Sequence, residues 1–164
     1  MNKKPEGIGL IRVRPARASD SLSLARMRWA LRAKGEKTIE KEAAFVKRCA
    51  AWMKKRLSNN RSWRCWIAEN ESGLVGNIWV HLIEKIPNPV SEGELHGYVT
   101  NFYVAPNVRG RRIGTRLLRA ALDWCRRNTV DAVILWPSKR SRNLYVRHGF
   151  CASKDLFELR KGGR

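Results

Sequence analysis

Residues 97 to 136 constrain the fold more than any other stretch of the chain. GYVTNFYVAP alternates like a strand and ends at Pro106, which has no N–H to give to a sheet ladder. After an arginine-rich junction, Ile113, Leu117, Ala121 and Trp124 repeat at helical spacing, widened by Leu118, Leu122 and Cys125. AVILWP then follows as a short apolar run flanked by turn residues. A strand, an amphipathic helix and a second strand so close together predict a parallel crossover, which is right-handed in almost all sheets.

The remaining segments supply the rest of that sheet. IGLIRVRPA reads as a short strand, and Ser19, Asp20 and Ser21 are N-cap candidates for a helix through SLARMRWALRA, closed by Gly35. Ile39, Ala43, Val46, Ala50, Met53 and Leu57 lie on one face of a second helix. WRCWIAEN and LVGNIWVHLIEKI predict a hairpin about Asn70, Glu71, Ser72 and Gly73. SRNLYVRHGF predicts a brief helix stopped by Gly149, and LFELR a final strand. Without an internal repeat or linker, residues 1–164 read as one α/β domain.

Charge bounds the partners more than the chemistry. The chain has 34 Lys+Arg against 14 Asp+Glu, a formal net charge of +20, so non-specific polyanion binding is expected. Specific nucleic-acid recognition is not expected, because the aromatic residues sit in apolar patterns and are not interleaved with arginine on one exposed sheet face. Cys49, Cys65, Cys125 and Cys151 are scattered without a CxxC pair, which argues against a zinc knuckle or a dithiol site and for reduced thiols. No metal site is expected. MNKKPEGIGLIRVRPARASD lacks an apolar leader core, and no run approaches the ~18 apolar residues of a membrane span, so a cytoplasmic location away from membranes is expected.

The junction VRGRRIGTRLL is where charge and fold coincide. A helix starting at the end of a strand exposes its first N–H groups and the positive end of its dipole, which together attract an anion. Residues 109 to 114 occupy that junction, and glycine there lets a phosphate reach the backbone.

Here the chain resembles the GCN5-related N-acetyltransferases. Their coenzyme A loop, Arg/Gln-x-x-Gly-x-Gly/Ala, is similar to Arg109-Gly110-Arg111-Arg112-Ile113-Gly114. Their Tyr-x-x-x-Gly-Phe segment is matched by Tyr145, Gly149 and Phe150 in LYVRHGF. The order of elements covers essentially the whole chain. The first glycine of the loop pattern is Arg112 here, which leaves the tightest backbone approach without its glycine.

The resemblance implies a mixed, mostly antiparallel sheet with a parallel splayed strand pair, flanked by about four helices. It implies direct transfer of an acetyl group from acetyl-CoA to a primary amine. The splayed strand would be TNFYV, with Phe102, Tyr103 and Val104 as coenzyme contacts beside residues 109 to 114 and Thr115. Tyr145 is the general-acid candidate, since a phenol with a pKa near 10 is protonated at neutral pH. Ser138 stands where the family often has an asparagine that contacts the coenzyme, and Lys139 and Arg142 are candidates for the 3′-phosphate. Relatives often carry a glutamate where this chain has Thr100, which cannot act as a base. Glu84, Glu92, Glu94 and His96 are alternatives, of which His96 has the best-suited pKa.

On the acceptor side, Trp29 with Arg28 or Arg32 on the first helix are candidate contacts, while the seven tryptophans read mostly as core or cleft wall. The acceptor is expected to be a small molecule or a protein amino group. The positive surface disfavours polycationic amines. Dimers are frequent in the family, which suggests a homodimer. The competing reading is a non-catalytic acyl-CoA-binding or basic RNA-docking or ribosome-docking module on the same fold.

Overall fold

The structure, a computed structural model, describes residues 9–59 and 61–159. One sheet runs in the order β1 (Arg12–Pro15), β2 (Trp63–Asn70), β3 (Gly73–Glu84), β4 (Leu95–Val104) and β5 (Val130–Ile134). The first three pairings are antiparallel and β4–β5 is parallel. Four helices accompany it: α1 (Ser21–Arg32), α2 (Glu42–Ser58), α3 (Ile113–Arg127) and α4 (Arg142–Val146).

Alternation along the central strands builds a core on each face of the sheet. On β2 and β3, Trp66, Ala68, Ile78 and Val80 pack with Leu117, Leu118 and Ala121 of α3. Their neighbours Cys65, Ile67 and Trp79 pack with Leu24 and Ala25 of α1 and Val46 and Met53 of α2. Close approach between layers is needed at Gly76, where a Cβ would lie 2.9 Å from the Tyr103 carbonyl oxygen and 3.1 Å from Leu117. No described helix is long and apolar enough to cross a membrane.

Several expected boundaries move. Ile39 is 99% exposed and α2 begins only at Glu42, whose carboxylate suits the positive end of the helix dipole, so the first member of the apolar repeat is not covered. The expected final strand does not form over residues 156–159, where Phe157 and Leu159 face solvent and take no strand partner; Arg160 lies outside the described residues. β5 ends at Ile134, leaving Trp136 edge-on to Tyr98 at 5.0 Å between ring centres.

Candidate active site

The site begins with two irregularities of β4. Its pairing with β5 stops at Tyr98↔Ile134 although β4 runs on to Val104, so the two strands part. On its other edge the register slips by one residue, from Trp79↔Thr100 to Asn77↔Tyr103. The extra residue makes a bulge in which Asn101 takes the left-handed conformation, φ 48°, one that asparagine tolerates better than most residues. The Asn101 side-chain amide donates to Asn77 Oδ1 at 3.4 Å and accepts from Arg28 Nη1 at 3.4 Å. Asn77 is fully buried, with its own amide 3.2 Å from Met27 Sδ.

On one side of the bulge lies a cavity of about 440 Å³. Phe102 and Val104 line it from β4, with residues 109, 110 and 112 to 115 from the start of α3 and Arg140, Ser141, Leu144 and Arg147 from around α4. Arg112 is the N-cap of α3 and adopts φ 58°, while Gly110 adopts φ 79°. The loop thus turns as a glycine would at position 112, at a local cost of about 1–2 kcal/mol for a residue with a Cβ. Among the described residues no side chain caps the helix, so the N–H groups of Ile113, Gly114 and Thr115 have no acceptor within it. Arg109 Nε donates to the Val104 carbonyl at 2.9 Å, tying the loop to the end of the strand.

The expected coenzyme contacts divide. Phe102, Val104, Arg109, Gly110, Arg112, Ile113, Gly114 and Thr115 gather at this cavity, whereas Tyr103 and Arg111 are not in its lining. Ser138 does not line it either; its N–H and hydroxyl are bonded to Ser141 Oγ at 3.0 and 2.8 Å, and Ser141 is the serine at the wall. Arg140 and Arg147 stand at the cavity in place of Lys139 and Arg142. Arg140, Leu144 and Arg147 follow steps of four and three, a helical-face spacing that marks them in the sequence. Tyr145 is buried, its ring centre 6.2 Å from Phe102 and 5.6 Å from Phe150. Burial pushes its phenol up to about 12, opposed by a hydrogen bond with Ser141.

The proposed bases do not converge. His96 sits on the paired part of β4, opposite Ile83 and Ala132, with Nε2 3.6 Å from Asp131 Oδ2, and lines neither cavity beside the bulge. Glu84, Glu92 and Glu94 border a separate depression with Thr129. Glu92 is held by Lys85 Nζ at 2.8 Å.

Across the bulge a second cavity, of about 280 Å³, is lined by Thr100 and Asn101 of β4, Arg28 of α1, and aromatic side chains. Trp63 lies 5.2 Å from Trp52 and 6.0 Å from Trp79 between ring centres, and Phe45 and Cys49 complete the α2 side. Arg48 is also at the wall and is paired with Glu40. Of the expected acceptor-side residues only Arg28 reaches this cavity; Trp29 packs on Phe45 at 5.5 Å. Burial, and then the charge of Arg32, holds the Arg28 guanidinium below its ordinary pKa. Burial raises the Cys49 thiol. No carboxylate or imidazole lines this cavity among the described residues.

The model of the acetyltransferase (GNAT) family matches residues 25–150. The chain belongs to that family. A predicted acetyltransferase from Clostridium acetobutylicum, crystallised with acetyl-CoA, is similar with TM-score 0.76 and 24% identity, over 92% of this chain and 96% of that one. A GCN5-related N-acetyltransferase from Ralstonia eutropha JMP134 gives TM-score 0.74 and 24% identity over 92% and 98%. A ribosomal-protein-alanine N-acetyltransferase from Brucella melitensis biovar Abortus 2308 gives 0.64 and 19% over 92% and 99%. At these identities the likeness to solved structures speaks to the fold alone. The comparison with curated proteins gives no match. The mixed sheet, with its single parallel pair and four helices, has the architecture that the family resemblance implied.

Proposed function

We propose that this GNAT-family chain is a single-domain N-acetyltransferase that moves an acetyl group from acetyl-CoA to a primary amine. One observation carries the reading: two cavities of opposite character meet on consecutive residues of one strand, Thr100 and Asn101 on one side and Phe102 on the other. The arginine-lined cavity fits a pyrophosphate, because uncapped helix N–H groups and Arg109, Arg112, Arg140 and Arg147 all border it. Acetyl-CoA, when bound, supplies the activated thioester carbonyl.

The chain's own residues would do three things. The unpaired edge of β4 beyond Tyr98 offers backbone N–H and C=O groups to an extended arm and to the developing oxyanion. Thr100 and Asn101 hold the amine against the bulge, with the Arg28 guanidinium in the same wall. As the new C–N bond forms and the C–S bond breaks, the amine releases a proton to water, since no carboxylate or imidazole borders the acceptor cavity among the described residues. Tyr145 lines neither cavity but packs on Phe102 of the first one. Protonated at neutral pH, it would hydrogen-bond the leaving sulfur from behind that ring, and at a pKa of about 12 it serves better as a donor to the thiolate than as a full proton source.

Calorimetric titration with acetyl-CoA, against an RNA oligonucleotide as polyanion control, tests the reading. Saturable acetyl-CoA binding that survives added salt supports it. RNA binding that fades with salt, without acetyl-CoA binding, would favour the basic docking module and overturn it. Tyr145→Phe should lower kcat on the order of 100-fold with acetyl-CoA affinity unchanged.

A further inference from the structure

The second cavity carries chemistry that acetyl transfer in general does not require. Three tryptophans and Phe45 wall it. Arg28, half-buried, has no carboxylate partner among the described residues, and its guanidinium makes a long 3.4 Å bond to Asn101 Oδ1. A guanidinium withdrawn from water without a counter-anion is costly unless a ligand brings one. The indole N–H of Trp79, whose ring is in the same wall, is buried with no hydrogen-bond partner among the described residues, a second donor that lacks an acceptor. Arg48, also at the wall, adds positive charge although Glu40 offsets it. An ammonium is therefore disfavoured here, and an amine held near Arg28 is pushed toward its neutral, nucleophilic form.

Resting on the acetyltransferase reading, we infer that the acceptor is an aromatic amino-carboxylic acid. Its flat body sits among Trp52, Trp63 and Trp79, its carboxylate pairs with Arg28, and its amine is turned toward Thr100 and Asn101. The cavity, about 280 Å³, suits a small molecule with one or two rings. A neutral or easily neutralised amine also answers the lack of a base in the wall. Stacking of a ligand ring on tryptophan supplies affinity without regard to charge, so the carboxylate is what separates this class from other aromatic amines.

The test measures thiol release from acetyl-CoA with tryptophan, phenylalanine and 4-aminobenzoate, each beside its carboxamide, and with spermidine. At least one free acid should exceed its carboxamide in kcat/KM by on the order of 10- to 100-fold, the range of one hydrogen-bonded charge. Arg28→Met should abolish that preference by raising KM for the acid more than it lowers kcat, while Arg28→Lys retains part of it. Acetyl-CoA titration of each variant shows that the protein is folded and loaded. Equal turnover of acid and amide, preference for spermidine, turnover of none of the acids by a protein that binds acetyl-CoA, or a preference that survives Arg28→Met would each overturn the acceptor assignment and leave the acetyltransferase reading standing. Failure to bind acetyl-CoA at all would instead remove the reading beneath it.

Discussion

The two cavities beside β4 are built in opposite ways. The arginine-lined one draws most of its wall from two short runs, 109 to 115 and 140 to 147, and its chemistry lies in exposed charge and free backbone groups. The tryptophan-lined one draws on five elements, with one residue each from α1, β2 and β3, two from β4 and five from α2, and its Trp79 is 1% exposed and belongs to the core that joins both helices to the sheet. In the first, function is separable from stability. In the second the same side chain both shapes the pocket and holds the fold, so a change in acceptor preference there also changes stability.

Trp79→Ala gives the largest effect that would test this contrast. Removing a buried indole should cost about 3–5 kcal/mol, read as a lower midpoint in urea unfolding, and should leave acetyl-CoA affinity of the folded fraction nearly intact. A loss under about 1 kcal/mol would mean that the tryptophan cavity is a surface feature, as separable as the other.

Legibility in the sequence follows the same division. α3 is legible in the sequence because Ile113, Leu117, Ala121 and Trp124 state a helical face within one element, and the β2–β3 hairpin because its turn residues lie between two apolar runs. The loop at residues 109 to 114 is legible because its motif is local. Arg112 departs from the motif in residue type but not in backbone, since its φ of 58° reproduces what glycine would allow. Phe45 and Trp52, seven residues apart, share one face of α2, but Trp63 and Trp79 lie on two strands and join them only through sheet register and helix packing. Ile39 and the LFELR segment misled for a related reason: alternation or repeat is evidence of a covered face only where another element arrives to cover it.

A moderate effect comes from acid, and it should fall on the acceptor half. Arg14 donates to both oxygens of Asp20, at 2.8 and 3.0 Å, and to both of Glu69, at 2.9 and 2.8 Å, tying β1 and β2 to the start of the helix that carries Arg28. These bonds hold both carboxyls below their ordinary values of 3.8 and 4.5. A depressed carboxylate contributes stability above its unfolded pKa and loses it as pH falls through the folded one. Thermal midpoints should therefore fall as pH drops below about 4, and Arg14→Met should flatten that fall. An unchanged acid profile in the variant would show that the network does not stabilise this half.

The smallest effect belongs to the arginine cavity. At Arg112 the left-handed backbone costs about 1–2 kcal/mol for a side chain, whereas glycine adopts it freely but brings its own unfolded-state entropy of about 0.5–1 kcal/mol. Arg112→Gly should therefore raise stability by no more than about 1.5 kcal/mol, the largest difference between those two costs. It restores the family's loop residue and opens the backbone to phosphate, yet removes one of the four arginines at the wall. Acetyl-CoA affinity then reports which contribution is larger. Affinity that holds or rises, with a shallower salt dependence, means that backbone N–H groups do most of the binding. A fall of about tenfold, the range of one charge-assisted contact, means that Arg112 is retained in its strained conformation for its guanidinium.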